Sequence, residues 1–263
     1  KLADAGLDAR LHAALEELAE YVDFQALRAG DGSVTVLIGG QTLLVIGERA
    51  LAIQADFSGP GTAVLDASGA VVTSHVSQGR LAGLLETVNT RIPSLLASLD
   101  SLAQAFADRV NAILASGVDR NGQPPAVNLF TYSAALGAAY TLEVTAITAS
   151  ELAAAYAWAP GGNGNALDLA ALATSAEIQG VSFTAFYGSI AAEAGRALAS
   201  ARSGAGMQAA LVAQARSLRE AASGVDLDEE AAAMIQYQRA YQAAAKLVSV
   251  LDELIESVLG MVR

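Results

Sequence analysis

Cysteine is absent from the 263 residues, which excludes disulfides, zinc–thiolate sites and thiol nucleophiles. Histidine is reduced to His12 and His75, too few for a histidine-rich metal centre. Aromatics make up only 5%, with one tryptophan, Trp158, so a core must be built from aliphatic side chains. Positive charge is scarce: 15 Lys plus Arg face 27 Asp plus Glu, a net charge of −12. That balance argues against nucleic acid as a partner, because phosphate recognition needs clustered Lys and Arg. Long apolar runs are missing too. The most apolar stretch, Val34 to Ile46, is broken by Gly39, Gly40, Gln41 and Thr42, short of the roughly 20 apolar residues of a membrane span. No signal peptide is visible. The sequence opens on Lys1 rather than methionine, and its natural start is expected to have been removed.

What is present in quantity is alanine, 59 residues of it, within a hydrophobic fraction of 53%. Alanine is the best helix former, so close-packed helices are expected, in one to two domains. Apolar residues at Leu7, Leu11, Leu15, Leu18 and Val22 have helical spacing. The period then changes. Val34, Val36 and Ile38 alternate after Asp31-Gly32, Gly39-Gly40 makes a turn, and Thr42 to Ile46 is β-branched and apolar. Ala50 to Asp56, Thr62 to Leu65 and Ala70 to Thr73 read as further short strands, so residues 23–78 form a small antiparallel β unit. A long helix follows, with apolar positions at Leu81, Leu84, Val88, Ile92, Leu95, Leu99, Leu102, Phe106, Val110 and Ile113. Pro93 should kink or divide it, since proline lacks an amide hydrogen. Tyr140 to Ile147 reads as a strand, and helical text resumes at Ala166 after the Gly161-Gly162-Asn163-Gly164-Asn165 loop.

Chemical motifs are few. Ser203 to Ala209 matches a dinucleotide-binding glycine pattern, but the residues before it are helical where the motif requires a strand; the expectation is an interhelical turn. Asp119-Arg120-Asn121-Gly122 resembles the start of a calcium loop, yet the twelfth position is Phe130 rather than a bidentate glutamate, which leaves a solvated turn. Asp226, Asp228, Glu229 and Glu230 open the last helix, with Asp226 as N-cap and Glu229 completing a capping box at the positive end of the helix dipole. His12 beside Glu16 reads as a surface residue, His75 lies in a turn without a partner histidine, and Trp158 near Pro160 reads as a packing residue. No catalytic residue, cofactor site or metal site is expected, and the chain reads as non-enzymatic.

The last helix carries the strongest pattern. Met234, Tyr237, Tyr241, Ala244, Val248, Leu251, Ile255, Val258 and Val262 alternate in steps of three and four, a heptad seam that wants a partner helix. At about 1.5 Å per residue, a helix of about 36 residues is roughly 54 Å long. Each large apolar side chain covered on association contributes roughly 1.5–3 kcal/mol.

Ser223-Gly224-Val225-Asp226-Leu227-Asp228-Glu229-Glu230-Ala231-Ala232, followed by Tyr237-Gln238-Arg239-Ala240-Tyr241-Gln242-Ala243-Ala244-Ala245-Lys246, resembles the carboxy-terminal signature of bacterial flagellar axial proteins. Its opening is similar to that of the first hook-associated, or hook–filament junction, family, with Asp226 where asparagine is usual. Leu15 to Val22 with Asp31 to Val34, Phe106 to Asn111 with Gly117 to Gly122, and Phe183, Phe186, Tyr187 and Ile190 resemble further passages of that family, in its order. The family's amino-terminal third has no counterpart here, so the resemblance is to a truncated member with a small outer part.

The resemblance implies a structural subunit of the extracellular flagellum, exported unfolded by the flagellar type III apparatus. It implies a ring of self-associating copies between hook protein and hook-associated protein 3, and an export chaperone at the carboxy-terminal region. Neither nucleic acid nor membrane insertion is implied. The fold class expected is α+β: an elongated helical bundle with a small, mostly antiparallel β domain. Residues 1–22, 79–124 and 166–226 would form the helical domain, 23–78 and 125–165 the β-rich domain, and 227–263 the coiled-coil assembly helix. The seam from Met234 to Val262 would serve assembly and chaperone binding. A sibling hook or distal rod subunit, and a secreted coiled-coil adhesin, stay open as alternatives at this point.

Overall fold

The computed structural model describes residues 5–223 and 227–261, with side chains over 6–221 and 231–251. It is 54% helical with small antiparallel sheets, the α+β class expected. The chain divides into two units, Lys1–Glu193 and Ala194–Arg263.

The first unit opens with helix α1 (Ala5–Tyr21) and a four-stranded antiparallel meander, β1 (Phe24–Arg28), β2 (Val34–Ile38), β3 (Thr42–Ile46) and β4 (Arg49–Ala50), in sequential order. A hairpin of β5 (Gln54–Asp56) and β6 (Ala63–Leu65) follows. The alternation seen at Val34, Val36 and Ile38 is the pleat of β2, which buries Val36 and Ile38. Three details differ from expectation. Phe24–Arg28 is a strand that no sequence period marks, because β1 is an edge strand with four of its five residues exposed. The apolar run Ala50 to Asp56 is divided between two sheets. Ala70 to Thr73 contributes one bridge, Leu65 to Val71, before a 3-10 turn at Thr73–His75.

Helix α2 (Gly79–Glu86) runs through a π turn (Thr87–Arg91) into α3 (Ile92–Ala115). The π turn is where Pro93 acts. The proline ring crowds the carbonyl four residues earlier, and the helix widens one turn ahead of it, with the Ile92 amide donating to Thr87 O. The apolar row of the long helix changes neighbours there: Leu85 is buried, whereas Leu84, Val88 and Ile92 are exposed. At the start of α2, Gly79 has φ +81°, and a Cβ there would lie 2.4 Å from Tyr21 O, so only glycine lets α2 pass the end of α1. Asp23 fastens the same joint, accepting from the Ser77 amide (2.9 Å), the Ser77 hydroxyl (2.8 Å) and the Gln78 amide (3.1 Å).

The rest of the first unit is held by very short pairings. β7 (Gly117–Val118) and β8 (Phe130–Thr131) follow α3; then come helix α4 (Ala138–Thr141), β9 (Glu143–Val144), β10 (Ala155–Tyr156) and helix α5 (Gly164–Ala171). β7 pairs with β10 and β8 with β9, both antiparallel. The strand expected over Tyr140 to Ile147 is therefore corrected: its first two residues are helical and only Glu143–Val144 pairs. Asp100 of α3 accepts from the Ala139 amide at 2.8 Å, and a carboxylate at that position favours a helical turn. Asn111 of α3 clamps β8 from both sides, donating to Phe130 O (2.8 Å) and accepting from the Phe130 amide (3.0 Å).

Three cores result. Val22, Ile38, Val64, Val72, Val76 and Leu85 join α1, the sheets and α2. Val110, Ile113, Leu114, Ala153 and Leu172 join α3 to the loops and α5. Ile178, Phe186 and Ile190 pack on Leu95, Leu99 and Leu102 of α3. Phe106 bridges the last two, 5.4 Å from the Phe130 ring and 5.5 Å, edge-on, from Phe183.

Helix α6 (Phe183–Ser223) starts in the first unit, and the second contains its continuation from Ala194 and helix α7 (Leu227–Met261). The interhelical turn expected at Ser203 to Ala209 is not there: α6 is continuous through Gly204 and Gly206. Glycine in a helix costs about 1 kcal/mol relative to alanine, and the surrounding Ala, Arg, Met and Gln offset it.

Candidate assembly interface

Helix α7 follows from its composition. Between Leu227 and Leu259 there is neither glycine nor proline, and Ala231 to Ala233 and Ala243 to Ala245 are strong helix formers. At about 1.5 Å rise per residue, its 35 residues extend roughly 52 Å. Steps of three and four keep the seam on one face.

Along that face the side chains are open to solvent. Tyr237 is 76% exposed and Tyr241 79%, and Met234, Ala244, Val248 and Leu251 are exposed as well. The side chains of Ile255 and Val258, and the whole of Val262, lie outside the described residues. So do Asp226 and the side chains of Asp228, Glu229 and Glu230, and with them the capping box. Two residues that the spacing argument did not include, Leu247 and Val250, are exposed immediately before Val248 and Leu251 and widen the apolar face. Their signal in the sequence was a second three-residue step, offset by one position from the seam.

The other residues singled out in the sequence have structural roles. The glycine pattern at Ser203 to Ala209 lies inside α6, where backbone amides are committed to the helix rather than aimed at a phosphate. Asp119 is a turn residue, though not a solvated one: it is buried and accepts from the Asn121 and Gln123 amides, each at 2.8 Å. The Gln123 amide is the leading cause that holds its carboxyl below the usual carboxylate range; burial opposes this, and the Asn121 amide and side chain add to it. Phe130, at the twelfth position from Asp119, packs against Phe106. His75 Nδ1 lies 2.6 Å from the Thr42 hydroxyl, tying the 3-10 turn to β3, and His12 is exposed. Trp158 does not pack inside; it is 81% exposed and stacks on Tyr156. Among the described residues, no group of three or more His, Asp or Glu is placed to hold a metal ion. Among them too, no helix is long and apolar enough to cross a membrane.

Comparison with known proteins connects both ends of the chain to one apparatus. Residues 4–130 match the flagellar hook-associated protein FlgK helical domain, which takes in α1, the meander and the α2–α3 helix. Residues 217–261 match the flagellar basal body rod FlgEFG protein C-terminal region, which contains the described part of the seam. Flagellar hook-associated protein 1 of Bacillus subtilis (strain 168) is 30% identical over 208 residues, 71% of this chain and 41% of that protein; the chain thus spans under half of its relative's length. The solved flagellar hook junction protein FlgK from Burkholderia pseudomallei is 28% identical, with a TM-score of 0.42 over 48% of this chain and 25% of that one. On these matches the chain belongs to the flagellar hook-associated protein FlgK family, of structural components of the extracellular flagellum, and carries at residues 217–261 the carboxy-terminal region of the flagellar rod proteins.

Proposed function

We propose that this chain is part of a structural subunit joining hook to filament, and that α7 is its assembly element. The observation that carries the reading is the exposed seam: large apolar side chains in heptad register along a helix about 52 Å long, which water solvates poorly and a neighbouring helix would cover. The match of residues 4–130 to the hook-associated helical domain favours the junction over hook or distal rod, because the match at 217–261 is shared with rod proteins. In this reading the partners are hook protein below, hook-associated protein 3 above and further copies of the subunit within a ring. An export chaperone covers the same seam before assembly. Residues 227–263 act as the assembly helix, and the helical and β-rich parts before it form the body of the subunit.

Co-assembly tests the reading. Purified chain mixed with isolated hooks is expected to bind at the hook end and make it competent for filament attachment, without elongating the hook. Growth of long hooks from the chain would point to the sibling hook role. Failure to bind hook ends in a protein that retains its helicity would overturn the junction assignment.

A further inference from the structure

From Asn121 to Gly195 the sequence contains no lysine or arginine, while Glu143, Glu151, Asp168, Glu177 and Glu193 fall in the same stretch. Within this basic-free segment the sole tryptophan stands at the surface. Its exposure is constructed by the backbone. The Ala159 amide donates to Tyr156 O at 3.0 Å, and the Gly162 amide to Ala159 O at 3.2 Å. Trp158 therefore sits at the corner of a tight turn, directed away from the body. Its indole lies nearly parallel to the Tyr156 ring, with centroids 5.0 Å apart and planes inclined by 19°.

The lower ring of this stack is fixed from two sides. The Tyr156 hydroxyl donates to Asp168 Oδ2 on α5 at 3.0 Å. Gly164 lies so close beneath the ring that a Cβ there would fall 2.1 Å from Tyr156 Cε2. Below them Asn165 is fully buried and donates to Ala153 O at 2.6 Å, which locks the start of α5 to the residues leading into β10. An exposed indole, a second ring held rigidly behind it and an exposed carboxylate at the ring edge are thus set by three separate elements.

We infer that the Trp158–Tyr156 stack with Asp168 is a binding site for an arginine side chain presented by a partner protein. The indole face is the best aromatic acceptor for a cation, and guanidinium is planar, so it stacks on a ring while its edge forks onto a carboxylate. Charge complementarity selects this occupant: among the described residues Asp168 has no ion-pair partner and accepts only from the Tyr156 hydroxyl, so its exposed carboxylate is open to a cation. A neutral sugar would use the ring face but gain nothing from that charge.

Because Trp158 is the sole tryptophan, its emission reports the site directly in the intact chain. A capped peptide of alternating glycine and arginine should quench or shift that emission saturably. The same peptide with citrulline, the uncharged isostere, should bind at least about threefold more weakly, as expected for an exposed cation–π contact. Asp168→Asn, at an exposed position, should keep the far-ultraviolet circular dichroism and weaken the arginine peptide by about the same factor, and added salt should act in the same direction. Equal responses to arginine and citrulline peptides, a response to a neutral oligosaccharide alone, full binding by the Asp168→Asn chain, or no response at all would each overturn the assignment. None of these outcomes bears on hook binding.

Discussion

The two units solve the problem of apolar side chains in opposite ways. In the first, although Leu84, Val88 and Ile92 are exposed, other valine, leucine and isoleucine side chains gather into cores enclosed by elements of the same chain: Ile38 is 1% exposed between the meander and α2. In the second, tyrosine, methionine, valine and leucine of equal or greater size stand in solvent along α7. Composition does not separate them, since both are rich in alanine and aliphatic residues. Context does. The first unit has turns, asparagine clamps and a carboxylate cap that bring its apolar faces together. In the second, the described residues belong to the continuation of α6 and to α7, and the seam face of α7 stays exposed. That contrast, local structure complete and burial incomplete, is what supports the assembly role proposed for α7.

Breaking the exposed side should give the largest effect, with no cost to the enclosed one. Tyr241→Asp places a charge on the seam, and a charge buried without a partner costs about 3–5 kcal/mol. Incorporation at the hook end is expected to fall by roughly two orders of magnitude or more, while the thermal transition of the first unit is unchanged. Wild-type incorporation of this variant in a motility and electron-microscopy assay would remove α7 from assembly. The reverse experiment is Ile38→Ala, which opens a cavity in the first core. A loss of about 2–5 kcal/mol is expected in urea unfolding, without change in the helical signal of a fragment carrying α7.

Smaller perturbations sharpen the contrast within the first unit. Asn165 is 0% exposed, and Asn165→Ala leaves the Ala153 carbonyl without its partner. About 1–3 kcal/mol should be lost, read by hydrogen exchange around β7 and β10. The smallest effect is expected from acid. The carboxyl of Asp119 is held below its ordinary 3.8, so the fold favours its charged form. That stabilisation is complete above 3.8 and is lost as pH falls through the lowered value. Amide exchange at Asn121 and Gln123 should therefore accelerate in that acid window, and Asp119→Asn should abolish the dependence.

Much of this was legible beforehand, for identifiable reasons. The helices from Leu7, Leu81 and Met234 and the strands at Val34 and Thr42 were visible because burial on one face imposes a period. The seam was legible as a pattern, and its exposure is a property of the pattern's surroundings. What could not be read are the contacts made by single polar side chains across long separations. Asn111 on Phe130, Asp23 on Ser77 and Asn165 on Ala153 leave no periodic trace, and they decide where short strands form. Tyr140 to Ile147 shows the consequence: its residues suit a strand, yet Asp100 turns its beginning into helix. Trp158 failed for a related reason, since a large aromatic is usually buried and only the turn from Tyr156 to Ala159 holds it outside.

The π turn before Pro93 acts as a reading frame for everything after it. A π turn is an α-helix with one residue too many, and each residue of a helix carries about 100° of rotation. By widening, the π turn absorbs that residue and keeps Phe106, Val110 and Ile113 in phase with the helix ahead of it, whereas one residue added in the regular winding between Pro93 and Phe106 would swing them around the axis by about that angle, away from the partners they now meet. Deletion of one residue within Thr87–Arg91 should therefore be tolerated, and an insertion between Pro93 and Phe106 should be far less acceptable than one in the Gly161–Gly164 loop.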